Sequence, residues 1–191
     1  MTIGILGGGV WGSALAKLFS DHKVLIYTRD RKVMNSINDH HFNPKLKYAI
    51  FNDNVEATDD LEEIIKKNII FIALPSQTIR EVLSKSYFHN LDAEIIIASK
   101  GIEISSSMFL SNVIESLIKP KSLSVMSGPC FSDEVAQDLP TAATFASSDT
   151  SIFDTISGML KRKKFRIYYS DDVIGCQIGG ALKNIYAIAA G

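Results

Sequence analysis

Two things are scarce in this chain, cysteine and net charge. Cys130 and Cys176 are too few for a disulfide framework in 191 residues and suit a reducing compartment. Twenty Lys and Arg against 21 Asp and Glu leave a net charge of -1, so no global basic field exists to hold nucleic acid or an anionic membrane. The apolar N-terminus has no basic n-region and is broken by Gly7, Gly8 and Gly9, which makes a poor signal peptide. No repeat, low-complexity tract or linker interrupts the chain. Metal ligands are equally sparse. His40 and His41 stand beside Asp39, but no second ligand pair follows at useful spacing, and a structural site needs three or four ligands. The run Lys161-Arg162-Lys163-Lys164 reads as a solvated helix C-terminus, where cations complement the dipole, rather than as a phosphate patch. With 46% apolar and 21% charged residues, the expectation is a soluble, cytoplasmic, mixed protein. Its length is long for one domain and short for two, since domains usually run to roughly 100–200 residues.

What is present is an alternation of short β-rich runs with helix-like stretches, the pattern of a mostly parallel sheet covered by helices. The runs are 2–6, 24–27, 69–74, 94–98, 123–126, 142–146 and 165–169. Residues 69–74 (IIFIAL) and 95–97 (III) are apolar on both faces, as central parallel strands are. Helix patterns lie at 11–21, 61–67, 77–83 and 107–118, and residues 40–54 read as an irregular loop. Asp59 and Asp60 offer an N-terminal cap ahead of Leu61.

The sharpest local signal is GGGVWG, which places Gly7, Gly9 and Gly12 in a G-x-G-x-x-G frame between a strand and a helix. In that context Gly7 permits the tight turn, Gly9 lets a pyrophosphate approach the backbone, and Gly12 lets the helix pack close to the strand. The helix N-terminus adds free N–H groups and partial positive charge, so the motif points to a dinucleotide. At the end of the second strand an acidic residue would hold the ribose 2′-hydroxyl of NAD, but the first charged residue here is Arg29. A guanidinium there suits a 2′-phosphate, and Asp30 comes one position late. The reading leans to NADP, with either nucleotide tolerated.

Further unusual residues fall at strand ends, where open α/β sheets bind ligands. These segments are 75–77 (PSQ), 99–103 (SKGIE) and 127–132 (SGPCFS). Lys100, ending a buried strand, costs desolvation unless something anionic meets it, or else it reaches bulk water from the sheet edge. Residues 171–191 are nearly apolar, with Gly175, Gly179, Lys183 and Ala187 at four-residue intervals on one helix face. Small residues there admit another surface, and desolvation in such a dry groove would lower the pKa of Lys183, fitting it for acid–base work on a carbonyl–alcohol pair. The alternatives are a lysine that snorkels from a core helix and a membrane span. The span is disfavoured by a central lysine, at ~2.5–3.5 kcal/mol, with Gln177 and Asn184 beside it.

On these segments the chain resembles the bacterial NAD(P)-dependent glycerol-3-phosphate dehydrogenase family along its whole length. The matching stretches are 7–15 (GGGVWGSAL), Pro75-Ser76 with 80–83 (REVL), 99–103, 127–136 (SGPCFSDEVA), 140–142 (PTA) and 171–191. The resemblance implies a Rossmann-type doubly wound domain over 1–170, with 171–191 starting a helical substrate domain that is otherwise absent. It implies reduction of dihydroxyacetone phosphate to sn-glycerol 3-phosphate for phospholipid synthesis, with Lys183 as catalytic lysine. Lys100 matches a residue touching both cofactor and substrate; Gly128 and Cys130 fall at substrate-lining positions. Val10, Trp11, Arg29 and Ser132 match positions at the cofactor. Cys130 stands where serine is usual, Ser132 where alanine is common, and Gln177 where glutamate is common. Residues 43–54 lack the usual Tyr-Leu-Pro pattern, which leaves a contact from Tyr48 unsupported. Because 171–191 is apolar nearly all round, the 191-residue chain is expected to bind NADPH, to lack turnover, and to cover its last helix by self-association. Two other readings stand beside this one: a lysine-dependent reductase of the β-hydroxyacid dehydrogenase kind, and a non-catalytic nucleotide-binding fragment.

Overall fold

A computed structural model describes residues 1–85, 88–89 and 91–191. Eight strands make one sheet: β1 (Thr2–Leu6), β2 (Lys23–Tyr27), β3 (Val55–Thr58), β4 (Ile69–Ile72), β5 (Glu94–Ile97), β6 (Ser122–Ser127), β7 (Thr141–Ala146) and β8 (Phe165–Ser170). The helices are α1 (Val10–Leu18), α2 (Arg31–His40), α3 (Leu61–Ile64), α4 (Ile79–Leu83), α5 (Leu110–Glu115), α6 (Ser132–Ala136), α7 (Thr150–Leu160) and α8 (Val173–Ala190). A 3₁₀ turn, Ser76–Thr78, leads into α4. The strand order is β3-β2-β1-β4-β5-β6-β7-β8, so the sheet is doubly wound outward from β1 and β4.

Alternation along each strand sorts the core into two layers. Ile3, Ile5, Val24, Ile26, Ile69 and Phe71 meet α1, α2, α6 and α7, while Leu6, Leu25, Ile70, Ile72, Ile95 and Ile97 meet α3, α4 and α5. Each such side chain, fully buried, contributes roughly 1.5–3 kcal/mol against its exposed state. Neighbouring strands from β3 through β6 are parallel; β7 runs antiparallel to β6, and β8 parallel to β7. β7 follows the five-residue α6 and returns beside β6, and the eleven-residue α7 then brings β8 in parallel to β7.

Four elements carry no periodic signal that the sequence reading used. α2 buries only Val33 and Ile37, one turn apart, so its ten residues read as polar. β3 is a four-residue edge strand with Glu56 exposed. α6 is too short for a repeat to show, and α7 lies between two strands that were recognised. Lys161 is the C-cap of α7, so the basic run does sit at a helix C-terminus, and Lys163 pairs with Asp21 at 2.8 Å.

The Asp172 carboxylate caps α8 by accepting from the Gly175 N–H at 2.7 Å. Val173 and Cys176 lean on the second core layer, yet among the helix residues only Gln177 is buried. Ile185, Tyr186 and Ile188 stand exposed, so the sheet covers this helix on one side. By length and composition alone α8 could cross a membrane, with a mean hydropathy of 1.2. Lys183 at its middle opposes that use.

Candidate functional site

The C-terminal ends of β1, β2, β4 and β5 open on a cleft of about 680 Å³. Its floor is the glycine turn. Gly7 has φ +124°, and a Cβ there would stand 2.5 Å from the Ala73 carbonyl oxygen. At Gly12 a Cβ would fall 1.8 Å from the Gly7 carbonyl oxygen, so α1 packs on the turn more closely than any side chain allows. Gly9 caps α1 with nothing within 4 Å of the Cβ it lacks, leaving the approach to the helix N-terminus open. The first-turn N–H groups of α1 have no intrahelical acceptor and suit a diphosphate. Val10 and Trp11 line the same cleft. The Trp11 indole Nε1 is enclosed and has no partner among the described residues, a donor that a bound polar group would satisfy.

Asn43, fully buried, holds this turn and was missed in the sequence. Its Nδ2 donates to the Gly8 carbonyl (3.2 Å) and to Ser13 Oγ (2.5 Å), and its Oδ1 accepts from the Lys45 N–H (2.9 Å). The loop read as irregular is therefore anchored, and only an asparagine with donor and acceptor both used marks the place. At the far end of the cleft Arg29 is exposed, and Asp30 caps α2.

Lys100 enters from the end of β5. Its Nζ donates to the Gly128 carbonyl at 3.0 Å, and burial, with Lys183 nearby, lowers its pKa. The loop behind it is clamped. Glu103, buried, takes a bidentate bond from Arg80 (Nε–Oε1 2.9 Å, Nη2–Oε2 2.7 Å) and a bond from Ser106 at 2.5 Å. Gln77 Nε2 donates to the Ile102 carbonyl, and its Oε1 accepts from the Ile104 N–H. Two stretches that the sequence set apart, 80–83 and 99–103, are thus one unit that carries the lysine.

Residues 128–130 form the wall between this cleft and a second hollow of about 430 Å³. Cys130 faces the cleft with Ser132, and burial pushes its thiol above the ordinary range despite Lys100. Gly128 and Lys183 line the hollow, whose other wall is α8. Gly175, Gly179 and Lys183 of the expected stripe do line the hollow together, but the closest approach falls one residue on. Gly180 makes the close approach, where a Cβ would lie 2.6 Å from Ser127 Oγ, whereas Gly179 has nothing within 4 Å and Ala187 is exposed. The hollow is also not the enclosed groove expected for Lys183, which is half-buried with its Nζ 4.5 Å from the Phe131 ring centroid. Phe131, exposed and apolar, gave no sequence signal as the seat of a cation. Gln177 ties α8 down: its Oε1 accepts from the Ser111 N–H (3.0 Å), and its Nε2 donates to Ser111 Oγ (2.9 Å).

Known proteins resemble this chain in sequence and fold. The chain is 38% identical to the glycerol-3-phosphate dehydrogenase [NAD(P)+] of Zymomonas mobilis, covering 99% of this chain and 56% of that protein. It is 37% identical to that of Halothermothrix orenii, covering 99% and 57%. The crystal structure of glycerol-3-phosphate dehydrogenase from Coxiella burnetii superposes with a TM-score of 0.89 at 30% identity, over 98% of this chain and 59% of that one. The Plasmodium falciparum glycerol-3-phosphate dehydrogenase gives 0.90 at 26% identity, over 99% and 57%. The chain thus spans a little over half the length of the relatives it matches. The family model described as NAD-dependent glycerol-3-phosphate dehydrogenase N-terminus matches residues 2–153, and the chain belongs to that family.

Proposed function

We propose that the cleft and the hollow beside it are the cofactor and carbonyl halves of one reductase site, acting on dihydroxyacetone phosphate in a protein of the relatives' length. The observation that carries this reading is the placement of Lys100 and Lys183 on either side of the 128–130 wall, at the mouth of a cleft shaped for a dinucleotide. Residues 1–170 hold NADPH or NADH, and 171–191 begin the part that faces the substrate.

When bound, the nicotinamide supplies hydride to the substrate carbonyl carbon. Lys183 polarises the carbonyl oxygen with its ammonium and hands it a proton, so ketone, hydride and proton together give the alcohol. Lys100, fixed by the Gly128 carbonyl, offers its remaining donors to the anionic substrate. Cys130 stays a neutral thiol and supplies at most a weak hydrogen bond. A cytoplasmic setting and a small-molecule phosphate as partner belong to the same reading, and the exposed face of α8 supports self-association of the 191-residue chain.

The test is dihydroxyacetone-phosphate-dependent NADPH oxidation by a full-length protein carrying this sequence. Lys183→Ala should lower kcat at least ~10²-fold while the NADPH Kd barely moves. Near-normal turnover in that variant returns Lys183 to a snorkelling role, and activity only on β-hydroxyacids selects the rival reductase class.

A further inference from the structure

The far end of the cleft, beyond the glycine turn, carries three charged side chains: Arg29, Asp30 and Lys45. Arg29 has no hydrogen-bond or ion-pair partner among the described residues. Asp30 is committed twice. Its Oδ1 accepts from the Lys32 and Val33 N–H groups at 3.1 and 3.4 Å, and its Oδ2 takes the Lys45 ammonium at 2.8 Å. Lys45, ahead of those N–H groups, holds the Asp30 carboxyl below the usual carboxylate range, so the pair is ionised. Lys45 does not come from a free loop: its backbone N–H is bound by Asn43, which is itself bound to the turn.

We propose that Lys45 is a specificity-determining residue, completing with Arg29 a two-cation seat for the 2′-phosphate of NADP(H) and masking Asp30 from the 2′-hydroxyl of NAD(H). The proposal rests on the reading of the cleft as a dinucleotide site. Of the residues lining the cleft only Asp30 is a carboxylate, and a free carboxylate there would repel a 2′-phosphate and accept from a 2′-hydroxyl. An ammonium has three donors, so Lys45 bridges Asp30 and a phosphate oxygen without breaking the ion pair. Arg29 and Lys45 against Asp30 leave the seat one positive charge in excess, which suits a dianion better than a neutral hydroxyl. The same three residues explain how one cleft serves either nucleotide: Lys45 is exposed enough to move aside, and Asp30 is then uncovered.

Calorimetric titration of the 191-residue chain with NADPH and with NADH tests this. Lys45→Gln should shift the ratio of the two Kd values about tenfold toward NADH. Asp30→Asn should shift it a few-fold the other way, and α2 keeps its cap because asparagine caps as well as aspartate. Adenosine 2′,5′-bisphosphate should show the Lys45→Gln loss, and AMP should not. Equal loss of both dinucleotides in Lys45→Gln, or an Asp30→Asn shift in the same direction, overturns the assignment and leaves Lys45 as a loop staple. If the unsubstituted chain binds neither nucleotide, the dinucleotide reading itself fails, a different result from an unchanged ratio.

Discussion

The cleft and the hollow beside it are built by opposite means. The cleft is made of backbone: a left-handed Gly7, a Gly12 pressed on the turn, and helix N–H groups, all within six residues of one another. The hollow lies between α8 and residues 127–129 with Thr144, its polar groups are side chains such as Lys183, Ser127 and Thr144, and one of its walls is a helix with a single buried residue. A backbone site tolerates almost no substitution but asks little of distant residues. A side-chain site is adjustable and depends on whatever braces its walls. Substitutions separate the two kinds.

Gly12→Val should have the largest effect. The turn cannot hold a side chain 1.8 Å from a carbonyl oxygen, so destabilisation of at least about 4 kcal/mol and loss of both nucleotides are expected in thermal melts and titrations. Asn43→Ala comes next. It strips partners from the Gly8 carbonyl and Ser13 Oγ in a fully buried position, at about 1–3 kcal/mol, and should weaken both nucleotides, NADPH somewhat more because Lys45 also loses its anchor. Nucleotide binding that survives intact in Asn43→Ala would mean that the turn needs no brace.

The substrate side should respond differently. Arg80→Ala should raise the substrate KM several-fold with little change in NADPH Kd, because the loop carrying Lys100 loses its clamp while the glycine turn keeps its own. Glu103 has its pKa depressed by Arg80 first and Ser106 second, so the stability it lends is present above the ordinary carboxylate range and is lost as pH falls through and below it. Arg80→Ala should therefore move the acid-unfolding midpoint to higher pH. The lowered pKa of Lys100 predicts a KM that rises on the alkaline side sooner than for an ordinary lysine. Gln177→Glu, which brings in the residue common in the resembling enzymes, should cost the least, about 1 kcal/mol, since Ser111 can still donate to a carboxylate.

The same contrast decides what the sequence revealed. The glycine turn, the strand runs and the ends carrying Arg29, Lys100 and Cys130 are local patterns, and each stands where local reasoning puts it. Asn43, Glu103 and Gln177 have partners 23 to 66 residues away, and although 99–103 and Gln177 drew notice, nothing local names those partners. The α8 stripe was legible as a stripe, but which glycine touches β6 depends on how the helix is rotated, and that is set by Gln177 on Ser111. α2 stayed hidden because three apolar residues in ten, two of them buried, cannot outweigh seven polar ones. Its cap, Asp30, was visible only as an acid arriving one position late.

The central claim is that the cleft binds a dinucleotide over the turn at Gly7–Gly12, and Trp11 reports on it directly. It is the single tryptophan of the chain, it lines the cleft, and its indole N–H waits for an acceptor. Titrating the 191-residue chain with NADPH while following tryptophan emission should give a saturable change at one nucleotide per chain, absent in Gly12→Val. A flat titration, or an identical curve from a folded Gly12→Val variant, would contradict it.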